Sequence, residues 1–285
     1  GHFTTARIYG SALTGLFVIG TGLALLQTAA NPYVAILGPI ASAARRIAFM
    51  GICNKFAGLL APLIFGALVL HGLDDFAERV KSAPTLEARA SLLDAFAAQV
   101  YAPYMIMAAL LALLGVFILR SRLPDLQPET VNAHDEPGSK AKTIFAFPHL
   151  WLGVVGIFTY VGVEVMAADA IGVYGEGFGL PLDDTRLFTS YTLAAMLVGY
   201  IAGLALIPRI VSQERYLAIS AALGILLCLG ATTTSGAISV AFIAALGFAN
   251  AMMWPAIFPL AIRDLGRHTE TGSALLIMAV AGGAI

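Results

Sequence analysis

The stretch from Ile8 to Leu37 holds 30 residues and no charged side chain, which restricts what this chain can fold into. As an α-helix rising about 1.5 Å per residue, it would exceed the roughly 30 Å hydrocarbon core of a bilayer. We therefore predict a transmembrane helix that is tilted or broken. Similar apolar runs recur along the chain and predict eight spans: 8–37, 47–70, 100–119, 148–175, 187–208, 216–234, 237–262 and 272–285.

The composition also indicates a membrane protein. Charged residues make up 12% of the 285, against about 25% in soluble domains, and the mean hydropathy is +0.86. The net charge of −1 argues neither for nor against a nucleic-acid partner. Because no basic, aromatic-interleaved patch appears, we predict no nucleic-acid partner. Cys53 and Cys228 lie in apolar runs and form neither a disulfide framework nor a metal set. We predict an all-α polytopic membrane protein in a lipid bilayer, with no metal, cofactor or catalytic residue.

A polar segment at 120–147 separates the spans into two groups. We predict a partial N-terminal bundle of three spans over 1–119, a linker over 120–147, and a partial C-terminal bundle of five spans over 148–285, the last truncated. Of the 16 basic residues, ten lie in the connectors after spans 1, 3, 5 and 7, and five lie on the opposite side. The positive-inside rule therefore makes the linker cytoplasmic.

Two further expectations concern the ends of segments. In the connector 71–99, Thr85 and the apolar stripe that follows it predict the start of a short surface helix. The chain has no initiator Met and stops inside an apolar run. We expect it to be an internal fragment of a longer polytopic protein.

Polar side chains inside three of the spans are the candidate binding groups. Gln27 and Asn31 lie four apart, on one helix face, and Pro32 follows them. Asn250 and Trp254 are also four apart, next to a predicted helix break, although a tryptophan there is also typical of packing. Asn54 lies early in the second span. Amides exposed to lipid are costly, so we expect these groups to face protein or a water-filled cavity.

Charged residues inside the spans are rarer and more expensive. Lys55 in the second span either extends its amine to the cytoplasmic interface or takes part in ion coupling. Glu164 and Asp169 lie in the span 148–175, where a charge costs roughly 2.5–3.5 kcal/mol. Such acids are functional by default, with structural pairing to Lys55 or a hydroxyl as the alternative. We predict ion coupling through Asp169 first, then Glu164, together with Lys55.

The polar groups together suit a sugar. Amides offer a donor and an acceptor side by side, which matches neighbouring hydroxyls, and an indole face covers the C–H surface of a sugar ring. We therefore predict that the substrate-binding residues line one central cavity; they are Gln27, Asn31, Asn54, Asn250 and Trp254. Carboxylates in the membrane can carry a coupling proton or bind Na⁺.

Five motifs carry a family resemblance. They are L-L-Q-T-A-A-N-P-Y-V (Leu25 to Val34), C-N-K-F-A-G (Cys53 to Gly58), Y-V-G-V-E-V (Tyr160 to Val165), W-P-A-I-F-P-L-A-I (Trp254 to Ile262) and L-G-R-H-T-E-T-G-S (Leu265 to Ser273). As a set they resemble the fucose/glucose/galactose–cation symporter family of the major facilitator superfamily. The resemblance implies two six-helix halves joined by a cytoplasmic linker, with this chain holding helices 4 to 11. It also implies a sugar contact for Asn54, whereas Gln27 stands where the fucose symporter has a glutamate of the sugar and proton site.

We therefore predict a monomeric, secondary active hexose importer of the bacterial inner membrane. It would be coupled to H⁺ and would work by alternating access, with the sugar, the coupling cation and the bilayer as its partners. Transport of another small solute, Na⁺ coupling and export on the same fold are the alternatives. An intramembrane enzyme that uses Glu164 and Asp169 as an acid pair is disfavoured, because a five-residue spacing puts them about 140° apart on a helix.

Overall fold

The computed structural model describes residues 9–69, 80–122 and 143–284, and every regular element in these ranges is a helix. The described α-helices are α1 (Tyr9–Ile36), α2 (Ala43–Val69), α3 (Leu86–Arg120), α4 (Pro148–Asp169), α5 (Ile171–Glu176), α6 (Leu182–Leu206), α7 (Gln213–Thr233), α8 (Gly236–Asn250), α9 (Met253–Ile262) and α10 (Thr269–Met278). Short 3₁₀ turns cover Ile40–Ser42, Ile144–Ala146, Gly266–His268 and Ala279–Ala284. The predicted all-α class is confirmed.

Within the described ranges, six segments are long and apolar enough to cross a membrane. They are Leu13–Ile36, Tyr101–Arg120, Pro148–Asp169, Leu187–Leu206, Gln213–Thr233 and Gly236–Ile262. Each of them overlaps one predicted span. The two remaining predicted spans, 47–70 and 272–285, fall on α2 and on α10 with the turn that follows it.

The structure corrects the extent of α3. Thr85 begins this helix as predicted, because its hydroxyl accepts a hydrogen bond from the amide of Ala88, as an N-cap residue does. The helix then continues for 35 residues to Arg120. The predicted short surface helix and the predicted span 100–119 are therefore one element. The reason lies in the sequence: neither glycine nor proline occurs between Leu86 and Ala102 to end the helix.

Two predicted spans are divided in the structure. The span 148–175 ends as α4 at Asp169 and resumes after one residue as the short helix α5. The span 237–262 consists of α8 and α9, which a turn at residues 251 and 252 separates. Pro32, in contrast, lies inside α1, and this helix continues to Ile36.

The chain forms two compact units. One comprises residues 1–23 and 58–125, and the other comprises residues 24–57 and 126–285. In the first unit, α3 exposes large apolar side chains such as Leu111 and Phe117, as a lipid-facing helix does. The predicted boundary at 120–147 stays a prediction, and residues 123–142 of that linker lie outside the described ranges.

Three apolar clusters hold the second unit together, the smallest of them formed by Ile171, Phe188 and Val240. The largest one brings together Leu150 of α4, Phe258 of α9 and Leu276 of α10, all fully buried, and includes Ile47 of α2. A second cluster joins Ala48 of α2, Met196 of α6 and Met252 in the turn between α8 and α9. The early part of α2 therefore packs against helices that follow it by 100 residues and more in the chain.

Two glycines of α6 allow that helix to approach the turn between α8 and α9 closely. A Cβ atom added to Gly199 would lie 2.7 Å from the Cβ of Ala251, and one added to Gly203 would overlap the side chain of Met252. Any larger residue would force the elements apart. The Gly-x-x-x-Gly spacing thus marks a helix contact here, the usual role of small residues between membrane helices.

Arg46, near the start of α2, binds the end of α1. Its side-chain nitrogens donate to the carbonyl oxygens of Val34, Ala35, Gly38 and Pro39 and to the hydroxyl of Ser42. The last carbonyls of a helix have no partner within it, so the guanidinium supplies donors that α1 lacks. Partial burial lowers the pKa of Arg46 from its usual value. This value starts so high that the group stays charged at neutral pH.

Candidate functional site

An ion pair between α2, on which the predicted span 47–70 falls, and the membrane-spanning helix α4 is the centre of the candidate site. The Nζ atom of Lys55 on α2 lies 2.6 Å from Oε1 of Glu164 on α4. The two side chains are 21% and 17% exposed, so both charges are largely removed from the surroundings. A single charge at this depth is costly, and the pairing lowers that cost. This is the structural pairing of Glu164 with Lys55 that the sequence offered as an alternative, and the part of either residue in ion coupling stays a prediction.

Two tyrosines lie close to this pair. Tyr160 precedes Glu164 by four residues, which places both on one face of α4, and its ring is buried. Its hydroxyl is buried and has no hydrogen-bond partner among the described residues, and its ring belongs to the same apolar cluster that Trp254 packs against. Tyr200 of α6 is also buried and lies within electrostatic range of Glu164.

Gly51 makes room for Tyr200. A Cβ atom added to this glycine would lie 2.7 to 2.9 Å from three atoms at the hydroxyl end of the tyrosine. Gly51 and Lys55 are four residues apart, so they lie on the same face of α2. One face of α2 therefore meets α6 through the tyrosine and α4 through the carboxylate.

The first amide pair lies near the end of α1. Asn31 is buried, and its Nδ2 donates to the main-chain oxygen of Gln27 at 2.9 Å. This bond satisfies a donor of the buried Asn31 amide within its own helix, one residue before the Thr28 carbonyl, which lacks its usual helical donor because residue 32 is proline. Gln27 is half-buried, whereas Asn54 on α2 is exposed. No hydrogen bond among the described residues joins these amides to Asn250.

The second amide lies at the break between α8 and α9. Asn250 is the last residue of α8 and is buried. Within the described part of the chain, its Nδ2 has no hydrogen-bond partner, which is unusual for a buried donor. Trp254 is the second residue of the next helix, α9, and stacks on Phe258, with ring centroids 5.8 Å apart. Its indole packs against the largest apolar cluster, so it has a structural role at least.

The environment of Asp169 differs from that of the ion pair. It is the last residue of α4 and is exposed. The carbonyls just before it are bound from α6, because Thr192 donates to Ala167 at 3.0 Å and Thr189 donates to Ala168 at 2.8 Å. The helix end at Asp169 is thus held by hydroxyl groups of a neighbouring helix.

Of the predicted site residues, the structure therefore brings Lys55 and Glu164 into contact, and Trp254 packs against the apolar cluster that contains Tyr160. Sequence reasoning missed Tyr200 and the close contact at Gly51. A tyrosine or a glycine within an apolar run does not by itself indicate a functional residue. Spacing along one helix also does not predict which residue of another helix it contacts. The i, i+4 spacing of Gly51 and Lys55 was the one available hint of a shared face.

Comparison with known proteins gives consistent matches. The family described as Major Facilitator Superfamily matches residues 2–285. A protein named glucose/galactose transporter from Brucella abortus biovar 1 (strain 9-941) is 32% identical over 286 residues, which cover 98% of this chain and 64% of the relative. The L-fucose-proton symporter of Escherichia coli (strain K12) is 27% identical over 282 residues, which cover 97% of this chain and 64% of that symporter. The chain thus spans 64% of the length of these relatives.

Solved structures give the same result. A crystal structure of the E. coli fucose:proton symporter matches with a TM-score of 0.83 and 26% identity, covering 98% of this chain and 69% of that one. A second crystal structure matches with a TM-score of 0.84 and 26% identity, and the match covers 99% of this chain and 69% of that one. It shows a Major Facilitator Superfamily transporter, FucP, in the outward conformation. The resemblance that the five motifs indicated is confirmed.

Proposed function

This chain belongs to the Major Facilitator Superfamily, and we propose that its protein imports a hexose across the bacterial inner membrane together with H⁺. Transport would proceed by alternating access, in which two helix bundles move about a central binding site. The names of the relatives support a sugar as the substrate, since they include glucose/galactose transporters and fucose-proton symporters. Proton coupling has its support in the fucose symporters alone.

The ion pair between Lys55 and Glu164 is the observation that carries the proposal. Protonation of Glu164 removes its negative charge and leaves the Lys55 ammonium without a counter-charge. The 2.6 Å contact between α2 and α4 is then weakened. Because these helices belong to the two predicted bundles, loading a proton changes a contact that holds the bundles together. A carrier of this kind couples proton binding to the change of conformation.

Glu164, rather than Asp169, is therefore the proposed proton carrier. The sequence alone favoured Asp169 because its small neighbours leave room around it. In the structure, Glu164 is half-buried and paired with a cation, whereas Asp169 is exposed at a helix end. Na⁺ would need several oxygen ligands in one place. The hydroxyl of Thr159, one candidate ligand, is exposed and donates instead to Val155 of its own helix.

The sugar would bind between the amides and the indole predicted from the sequence. The buried Asn250 supports this assignment, since its Nδ2 has no hydrogen-bond partner among the described residues and a sugar hydroxyl could accept from it. Gln27, Asn31 and Asn54 would contribute from the other predicted bundle, and Trp254 would cover the ring through its exposed portion. This part of the proposal rests on side-chain chemistry and on placement near helix breaks.

Uptake in proteoliposomes tests the proposal. The full-length protein is reconstituted and given labelled glucose, galactose or fucose, with either an inward proton gradient or an inward Na⁺ gradient. We expect the proton gradient to drive uptake above equilibrium. Glu164→Gln should abolish this uphill uptake but retain sugar exchange across the membrane, because exchange needs binding without net proton movement.

Two further variants keep the test decisive. Lys55→Gln combined with Glu164→Gln removes both charges, and it should also exchange sugar without concentrating it. Asp169→Asn should concentrate sugar as the parent does. Two results would contradict Glu164 as the proton carrier. One is uphill uptake by Glu164→Gln at the parental level, and the other is loss of uphill uptake, with exchange retained, in Asp169→Asn. Accumulation of sugar with a Na⁺ gradient, but not with a proton gradient, would show that Na⁺ rather than H⁺ is the coupling ion.

A further inference from the structure

A cavity opens beside the basic end of α2. Its volume is about 620 Å³, within the range of small-molecule sites, about 300–1,000 Å³. Its walls combine two arginines and a serine with apolar side chains: Val34, Ser42, Arg45, Arg46, Phe49 and Leu204. These residues come from the end of α1, the 3₁₀ turn that follows it, the start of α2 and the end of α6.

The packing of α2 against α6 explains why the cavity lies there. Tyr200 fills the space at Gly51, where the two helices are in close contact. Leu204 lies one turn beyond that contact on α6, and Phe49 and Arg45 precede it on α2. The space on this side of the contact lies towards the helix ends, where the basic residues occur. By the positive-inside rule, this is the cytoplasmic surface of the membrane.

The two arginines in the cavity wall differ in what they bind. Arg46 uses its donors on the end of α1 and on Ser42. Arg45 is exposed and makes no hydrogen bond or ion pair with any residue that the structure describes. Its guanidinium is therefore available to an anion. Phe49, one turn further into the membrane, is 63% exposed and offers an apolar wall next to that charge.

We propose that this cavity binds an anionic phospholipid of the cytoplasmic leaflet. The phosphate would bind Arg45, and one acyl chain would lie against Phe49, Leu204 and Val34. The arrangement matches the two parts of such a lipid, because the charge lies at the membrane surface and the apolar wall extends inward from it. Basic pockets between transmembrane helices bind anionic head groups in this way, and a guanidinium pairs with phosphate in a bidentate manner.

Native mass spectrometry of the purified full-length protein tests the site. The delipidated protein is mixed in detergent with phosphatidylglycerol or, as the neutral reference, phosphatidylcholine. We expect preferential retention of phosphatidylglycerol, which Arg45→Gln lowers about fivefold, the effect of one arginine at an anionic surface. Arg120→Gln is the matched control. Arg120 is another exposed arginine, at the end of α3, and it does not line the cavity, so its loss should change nothing.

Two more arms separate a lipid from a free anion. Phe49→Ala should reduce retention of phosphatidylglycerol, because the acyl chain loses its wall. Free glycerol 3-phosphate should not compete at equal concentration. Equal retention of the two lipids, an unchanged Arg45→Gln variant, or an equal effect of Arg120→Gln would overturn the proposal. Competition by glycerol 3-phosphate as strong as that of the lipid would assign the cavity to a free phosphate instead.

Discussion

At the scale of single residues, the Lys55–Glu164 pair makes a prediction about stability. Removing one partner of a buried ion pair costs about 3–5 kcal/mol, because the other charge is left alone. About a fifth of each side chain is exposed here, so we expect roughly 1–3 kcal/mol for Lys55→Gln or Glu164→Gln. The double variant should lose less than the sum of the single losses.

Thermal unfolding in detergent gives this double-mutant cycle. A coupling energy of about 0.5–3 kcal/mol is the expected range for side chains in contact. Additive losses in the three variants would mean that the two charges do not interact in the membrane protein. In that case the contact could not transmit protonation from one helix to the other.

Gly51 makes a second prediction at this scale. In Gly51→Ala, the new methyl group would lie 2.7 Å from the ring of Tyr200, so α2 and α6 must separate or the ring must move. Overpacking of this kind costs about 1–3 kcal/mol, and we expect a matching drop in thermal stability. Gly58→Ala is the control on the same helix, since its Cβ would meet nothing within 4 Å. It should be neutral or slightly stabilising, as alanine favours helix more than glycine does.

The contact with Tyr200 can be checked directly. Adding Tyr200→Leu to Gly51→Ala removes the ring that the methyl group would strike, so stability should partly return. Equal melting temperatures for the alanine variants at positions 51 and 58 would contradict the close packing of α2 against α6.

At the scale of secondary-structure elements, Arg46 holds the end of α1 to the start of α2. Arg46→Gln removes donors from four carbonyl groups and a hydroxyl, and we expect a loss of about 2–3 kcal/mol. Arg45→Gln alters the neighbouring arginine, which has no partner among the described residues, so it should leave thermal stability in lipid-free detergent unchanged. Similar losses in the two variants would show that net charge, rather than capping, matters at this turn.

At the scale of the whole molecule, the distribution of basic residues predicts that the linker at 120–147 is cytoplasmic. Cys53 and Cys228 are first replaced by serine, and one cysteine is then introduced as Ser139→Cys or Lys81→Cys. A membrane-impermeant maleimide should label position 139 only in inside-out vesicles and position 81 only in right-side-out vesicles. The reverse pattern would invert the topology and with it the assignment of the lipid cavity to the cytoplasmic leaflet.

Much of the architecture follows from the sequence alone, because length and hydropathy are properties of single segments. Apolar runs of about 20 residues can satisfy their backbone in lipid only as helices, so the spans and the all-α class were predictable. Local capping chemistry likewise placed the start of α3 at Thr85. The apolar stripe after Thr85 predicts a separate surface helix, whereas α3 continues from Leu86 through the predicted span 100–119 to Arg120.

The tertiary structure alone decided which polar groups meet. Lys55 and Glu164 are 109 residues apart in the chain, and no spacing along one helix could pair them. The pairing depends on how α2, α4 and α6 pack, and a glycine that admits Tyr200 sets one of those contacts. The same packing placed Glu164 against a cation and left Asp169 exposed at a helix end. Sequence sets what each helix can bury, whereas packing between helices sets what each buried group touches.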